Sequence, residues 1–391
     1  MNNDPYVKLL GSYQRLYGLR EVVNKTDVTP QMLEYCQQGS VFVVIALCDD
    51  HGRFYFRHAL NKFRGWELLG GFVHEDDQSL EEAAMRIVRQ ESGFEVDELR
   101  PLLSVVNIFQ SKDTKYAHRG LAYIASVRPQ HLAYRDAEYV GGWMKQTPLQ
   151  VMECDVPVYS AAKQHLTRYP FHPPHNEIDE ARHLGWRYVV HRRTVQPIQR
   201  LVVSRVLQKE ITRDLRGRAV LDVSCGDDAY IVKIANAHPT WECVANDISW
   251  KSVEMLFHHV KQKNILFTNH DLNHLPYRQK FDTVIFKNSL HHLKQRTDAH
   301  RIIQHLFNLA SKALIVVDVQ DPHESSWVHV FWNKYYRWLL RDQGDFFWKY
   351  ADFQVLIHSV DSRANIRLLK TNRGNYMIAV MDPNKKSGSM L

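Results

Sequence analysis

A chain of 391 residues is long for a single core, so two domains are expected. An apolar fraction of 45% and a charged fraction of 24% describe an ordinary globular protein, and no apolar run reaches the roughly 18 residues needed to span a bilayer. The net charge of +7 is compatible with a phosphorylated or nucleic-acid partner without demanding one.

The first residues, Met1 to Leu10, lack the basic-then-apolar pattern of a secretory signal. Five cysteines (Cys36, Cys48, Cys154, Cys225, Cys243) are scattered without a Cys-x-x-Cys pair. That argues against a zinc knuckle or a disulfide framework and for a reducing, cytoplasmic setting.

Residues 1 to about 38 are polar and mixed, which predicts a helix or two and a loop. Val41 to Leu47 is a buried strand, Asp49-Asp50-His51-Gly52 a turn, and Arg53 to Arg57 a second strand, together a hairpin. Trp66 to Val73 is a strand broken by Gly70-Gly71. Ser79 and Glu82 form a capping box for a helix over Leu80–Ser92, which Gly93 ends. Further strands are predicted around Leu102–Phe109 and Gly120–Val127.

Gly70-Gly71-Phe72-Val73, the helix Glu81-Glu82-Ala83-Ala84-Met85-Arg86 and the end Gln90-Glu91-Ser92-Gly93-Phe94 resemble the Nudix box. The resemblance covers about residues 38–150 and implies a mixed sheet with helices, in a domain spanning 1–155. In Nudix hydrolases a carboxylate face on this helix holds a divalent metal, and nucleoside diphosphates linked to another group are cleaved. Positions 87, 90 and 91 share that face by helical spacing. The family has three glutamates there; Ile87 and Gln90 leave Glu91 as the one metal ligand. Glu75, Asp76 and Asp77 lie in the preceding loop, which is one residue longer than the family spacing. A single glutamate is a thin set for Mg²⁺. The resemblance then implies a module that binds a nucleotide or related ligand, with a hydrolase as the alternative.

Residues 156–193 read as a linker. The run Tyr169 to Asn176 is rich in proline and histidine and cannot continue a helix. Glu177–Tyr188 is predicted helical, and Arg187, His191, Arg192 and Arg193 form a basic cluster. Ile198, Leu201, Val202, Val206, Leu207 and Ile211 recur at helical spacing, which predicts a long helix over Thr194–Asp214.

From Ala219 strands and helices alternate, the pattern of a parallel sheet wrapped by helices. Strands are predicted at Ala219–Val223, Trp241–Ala245, Asn264–Phe267, Phe281–Phe286 and Lys312–Val317, with edge strands at Val355–Ser359 and Tyr376–Ala379. Helices are predicted over Ser249–Lys263 and Ala299–Ala310. The first strand runs into a small-residue turn, Asp222-Val223-Ser224-Cys225-Gly226, and then a helix. That is a cradle for a nucleotide-like ligand.

This half is similar to class I S-adenosylmethionine-dependent methyltransferases, in a domain over 194–391 with a Rossmann-like core at 215–381. The resemblance implies that Asp222, Ser224, Cys225 and Gly226 form the loop for the methionine part of S-adenosylmethionine. Asp247 serves the ribose and Asp271 the adenine, and Ile248, Leu272 and, in the turn after the fourth strand, Asn288 also line the cofactor. Ser224 stands where the family has its first glycine, and Asp228 where it has a later one. His291 and His292 are the candidate general bases; adjacent in sequence, their side chains diverge, which argues against joint metal chelation. Asp318 ends the fifth strand at the edge where open sheets bind ligands. The aromatic segment Asp321–Tyr350 reads as a packing stripe on a helix; the resemblance offers the alternative of a lid, since in many small-molecule methyltransferases the equivalent region covers the substrate, which would suit a planar or apolar acceptor.

The expectation is an α/β and α+β protein that methylates a small, nucleotide-derived molecule, with Mg²⁺ as a candidate cofactor of the Nudix-like half. A bifunctional hydrolase/methyltransferase and a non-enzymatic nucleotide sensor stay open. The absence of a long basic stripe argues against a nucleic-acid substrate, and no membrane partner is expected.

Overall fold

The computed structural model describes residues 5–27, 41–49, 51–59, 66–110, 115–127, 139–144, 155–168, 171, 205–226, 229–249, 252–253, 255–293, 296–324, 327, 329–331, 334, 346–371 and 374–384. The helix expected over Glu177–Tyr188, the basic cluster around Arg192 and the start of the helix expected from Thr194 lie outside these residues. Two compact units divide the chain. One comprises Met1–Pro173, Trp250–Asn269 and Pro276–Arg278; the other comprises Pro174–Ser249, His270–Leu275 and Gln279–Leu391.

The N-terminal elements are α1 (Pro5–Tyr17), β1 (Glu21–Asp27), β2 (Val41–Cys48), β3 (Phe54–Ala59), β4 (Trp66–Glu67), β5 (Leu69–Phe72), α2 (Leu80–Ser92), β6 (Val96–Gln110), β7 (Lys115–Val127), β8 (Tyr139–Met144) and α3 (Val156–Arg168). Their eight strands form one mixed sheet in the order β1-β6-β7-β2-β3-β4, with β5 on β2 and β8 on β3. Every residue of β2 is buried because both its faces are covered. Alternation sends Phe42, Val44, Ala46 and Cys48 to one face, where they cluster with Val158, Tyr159 and Ala162 of α3. The other face meets α2.

Helix α2 buries Leu80, Ala83, Ala84, Ile87 and Val88, an apolar stripe at helical spacing. Its start carries the Ser79 cap that the sequence predicts, but the Glu82 side chain bonds one residue before the cap rather than the cap itself. Ser79 accepts from the Glu82 N–H at 3.0 Å, while the Glu82 carboxylate reaches back to the Gln78 N–H at 2.5 Å. Gly93, at φ 72°, ends the helix and donates to the Arg89 carbonyl. Glu81 is the polar exception inside this core: it is 1% exposed, and its Oε1 accepts from Tyr123 at 2.9 Å and from Tyr13. Burial pushes the Glu81 carboxyl up to about 7, against the hydrogen bonds from Tyr13 and Tyr123 that lower it. The polar strand β1, parallel to β6, escapes the sequence pattern.

The C-terminal elements are α4 (Arg205–Asp214), β9 (Ala219–Asp222), α5 (Tyr230–Ala237), β10 (Glu242–Asn246), β11 (Ile265–Thr268), β12 (Phe281–Lys287), α6 (Arg296–Leu309), β13 (Ala310–Val319), α7 (Tyr350–Val360), β14 (Asn365–Lys370) and β15 (Asn375–Met381). The sheet order is β11-β10-β9-β12-β13-β15-β14. Strands β10 and β12 both run parallel to β9, and β13 runs parallel to β12. β15 is antiparallel to β13, and β14 to β15. Chain order reverses on either side of β9, which opens a crevice at the carboxyl ends of β9 and β12.

Two expectations change. Val355–Ser359 is not an edge strand but part of α7: Phe353, Leu356 and Ile357 are buried while Val355 is 71% exposed, a helical and not an alternating pattern. The edge strand is β14. Within Ser249–Lys263 the described residues hold helical residues 252–253 and a 3-10 turn at Phe257–His259 in place of one long helix.

Candidate functional site

The glycine loop leaves β9 at Asp222 and is braced on both sides. The Val223 N–H donates to the Ile285 carbonyl and the Cys225 N–H to the Asn246 carbonyl. Asn246, fully buried, donates its amide to the carbonyls of Val223 and His270, each at 3.0 Å, and accepts from the His270 N–H at 2.9 Å. It ties the loop after β9 to the segment that carries Asp271.

Gly226 takes φ 56°, and a side chain there would meet open space, so glycine is needed for conformation. Ser224, standing at a family glycine, is not among the positive-φ residues, and its hydroxyl donates to the Lys287 carbonyl at 3.3 Å. Serine is therefore compatible with the loop. Asp228 lies outside the described residues.

Asp222 does not face the crevice as an exposed acceptor. It is fully buried, 3.3 Å from the Lys287 ammonium, which also donates to the Cys225 carbonyl at 3.4 Å. Asp222 and Lys287 form an internal brace between β9 and β12. Lys287 and Asn246 were not singled out from sequence; the available signals were a lysine ending an apolar strand and an amide ending β10. Asp247 is half-buried and spans the loop differently: one oxygen accepts from the Gly226 N–H at 2.9 Å, the other from the Ser249 N–H at 2.9 Å. Asp271 is half-buried and caps the turn over Leu272, accepting from the Asn273 N–H at 2.9 Å. Ile248 and Leu272 are half-buried beside these two carboxylates.

After β12 the chain turns at Asn288, exposed and at φ 53°, with its N–H on the Val317 carbonyl at 2.8 Å. The next turn carries the two histidines; they differ in burial, and contrary to the divergence that adjacency predicts their rings lie side by side, because the tight 3-10 turn keeps both on one side of the chain. His291 is 6% exposed, and its Nδ1 lies 2.6 Å from Asp318 Oδ1 at the end of β13. His292 is exposed, its ring 4.3 Å from that of His291. Asp318 is fully buried. Its Oδ1 also accepts from the Val319 N–H at 2.9 Å, and Oδ2 has no hydrogen-bond partner among the described residues. From the aromatic segment, Phe347 stacks on His291 at 5.3 Å and 10°, and the Phe346 N–H reaches the His291 carbonyl at 3.4 Å. A carboxylate that accepts the Nδ1–H hydrogen bond fixes the tautomer and leaves Nε2 as the basic atom.

On the N-terminal helix the carboxylates are differently engaged. Glu91 pairs with Arg57, whose Nε also reaches Glu67 at 2.7 Å. Burial pushes the Glu91 carboxyl up, against the Arg57 charge that lowers it. Asp77 is held by Arg86 in two bonds of 2.9 and 2.8 Å. Ile87 is buried and Gln90 exposed. No group of three or more His, Cys, Asp or Glu residues able to hold a metal occurs among the described residues. The donors do not fit the oxygen-rich shell that Mg²⁺ takes.

The family model of the NUDIX domain matches residues 37–147, and that of a methyltransferase domain matches residues 220–312. The chain thus joins an N-terminal Nudix-type domain to a C-terminal methyltransferase domain with a Rossmann-like sheet. Similar solved structures include magnesium protoporphyrin IX methyltransferase from Synechocystis PCC 6803 with bound SAH. It is 20% identical, the match covers 56% of this chain and 93% of that one, and the TM-score is 0.35. The plantazolicin methyltransferase BamL is 14% identical over 56% and 94% of the two chains, with a TM-score of 0.40. An O-methyltransferase family protein from Burkholderia thailandensis is 15% identical over 45% and 55%, with a TM-score of 0.38. No curated protein matches the sequence. No described helix is long and apolar enough to cross a membrane.

Proposed function

We propose that the C-terminal domain transfers a methyl group from S-adenosylmethionine to an oxygen or nitrogen atom of a small molecule, with His291 as general base. The observation that carries this reading is the buried His291–Asp318 pair, 2.6 Å apart at the carboxyl edge of the sheet that also bears the glycine loop. When bound, the cofactor supplies an activated methyl on a sulfonium. The donor set suits it: the Ser224-Cys225-Gly226 loop for its methionine end, Asp247 and Ile248 for the ribose, Asp271 and Leu272 for the adenine, Asn288 at the closing turn. Asp222 acts beneath the loop, through Lys287.

The protein's own work is alignment and proton removal. His291 Nε2 takes the proton of the acceptor O–H or N–H as the acceptor's lone pair becomes the nucleophile. Asp318 holds the ring in register and stabilises the imidazolium that forms. The Phe347 ring stacked on His291 favours a planar or apolar acceptor. The N-terminal domain serves as a binding module for that acceptor or for a nucleotide-linked precursor, a reading supported by the NUDIX match.

Calorimetry on the full chain tests the cofactor. S-adenosylmethionine is expected to bind, and Asp247→Ala to weaken it about 10- to 100-fold, as loss of charged hydrogen bonds would. No binding, or binding unchanged in Asp247→Ala, would sink the proposal. Affinity for RNA or DNA that falls steeply with salt would instead indicate a nucleic-acid acceptor.

A further inference from the structure

Strand pairing and helix packing bring two acidic residues of the N-terminal domain to one point. Glu67 on β4 is the direct partner of Arg57 on β3. Glu91 arrives from the last turn of α2. The Arg57 side chain lies among them: Nε donates to Glu67 Oε1 at 2.7 Å, Nη1 pairs with Glu91 Oε2, and Nη2 lies 3.5 Å from the Gly70 carbonyl. The three side chains are nearly closed to solvent, at 8% for Arg57, 11% for Glu67 and 18% for Glu91.

Two carboxylates and a backbone carbonyl from strand β5 are hard oxygen donors, the kind a divalent cation collects. Here all three converge on one guanidinium. The rest of the helix face offers nothing further. Ile87 lies against Gly71, where a Cβ would sit 3.2 Å from its Cδ1, and Asp77 is taken by Arg86.

We propose that the Arg57 guanidinium occupies a divalent-cation site, so that the Nudix-type domain is held together and binds its ligand without metal. A planar fork with several N–H donors satisfies two carboxylates and a carbonyl from different elements, as a cation would, and it cannot be chelated away. It also lacks the exchangeable positions at which a metal would meet a diphosphate. The domain therefore retains the architecture of the family without its hydrolytic metal.

Mn²⁺ is the probe, followed by the loss of its free electron paramagnetic resonance signal on titration into the full chain. The wild-type protein and Glu91→Gln are expected to take up the same amount. Arg57→Ala is expected to gain about one Mn²⁺ per chain, and the added Glu91→Gln to remove that gain. Wild-type uptake that Glu91→Gln abolishes would overturn the proposal. So would a folded Arg57→Ala, checked by circular dichroism, that gains nothing. Should Arg57→Ala unfold, Arg57→Ser and the wild-type comparison with Glu91→Gln decide. Thermal unfolding of the wild type with chelator or with millimolar MgCl₂ gives an independent reading: coincident curves are expected, and a Glu91-dependent rise in Tm with MgCl₂ would contradict the assignment.

Discussion

The two domains each hold carboxylates close to glycine-bearing segments, and they hold them in opposite ways. In the N-terminal domain the charges are closed: Glu67 and Glu91 meet Arg57, and Asp77 meets Arg86. In the C-terminal domain Asp247 and Asp271 are held by neutral backbone N–H groups and stay half-exposed. Asp318 holds an imidazole that can accept and release a proton. A carboxylate matched by an in-chain guanidinium is spent on architecture. One held by backbone N–H groups is positioned by neutral dipoles and meets no opposite charge in those bonds. Asp222, paired with Lys287 under the loop, shows that the second domain also spends one carboxylate on structure.

The contrast is most exposed to attack at the dyad. His291→Ala is expected to lower the rate of methyl transfer by about 10²–10⁴-fold, the usual worth of a general base, with S-adenosylmethionine affinity nearly unchanged. Asp318→Asn should fall in the same range, because the wrong tautomer is then favoured. Single-turnover transfer of a labelled methyl group measures both. Full activity in His291→Ala would remove the open side of the comparison.

On the closed side, Arg57→Met leaves two buried carboxylates facing each other. Unfolding of the N-terminal domain is expected to become easier by about 3–5 kcal/mol, the cost of breaking a buried pair from one side. Urea denaturation followed by tryptophan fluorescence checks it. A loss below about 1 kcal/mol would place the pair with ordinary surface bridges.

Glu81 gives a pH test within the same domain. Its carboxyl is raised from 4.5 to about 7 in the folded state, so the folded protein holds the proton more tightly than the unfolded chain. This contribution is fully present below about pH 4.5 and is lost as pH rises to about 7, amounting to about 3 kcal/mol over that window. Glu81→Gln should flatten the decline, so that stability measured at pH 5 and pH 7.5 differs less than in the wild type. The smallest effect is at the cap: Ser79→Ala should cost about 1 kcal/mol at any pH in that range, read from the same urea curves.

Much of the local architecture was legible. The turn residues, the Ser79 cap, the Gly93 stop and the apolar runs of β2, β9, β12 and β13 each carry their signal within a few residues. The ends of β10 and β12, just before Asp247 and Asn288, are legible in the same way. The edge of the second sheet was misread. Val355-Leu356-Ile357 is apolar enough for a strand, while β14, half-exposed along its length, carries arginine and lysine. Only packing on one side tells these apart.

What the sequence alone determined is whatever depends on period and spacing: the strands, the caps and turns, and the apolar faces that build the sheets. What tertiary structure decided is which charge meets which. Arg57 and Glu91 are 34 positions apart, and His291 and Asp318 are 27. The pairing of β3 with β4 and the packing of α2 bring the first two together; the parallel β12 and β13 bring the second two. Whether a buried carboxylate serves structure or chemistry is set by the partner that folding delivers to it. Local spacing carries no record of that partner, because desolvated charges interact through space.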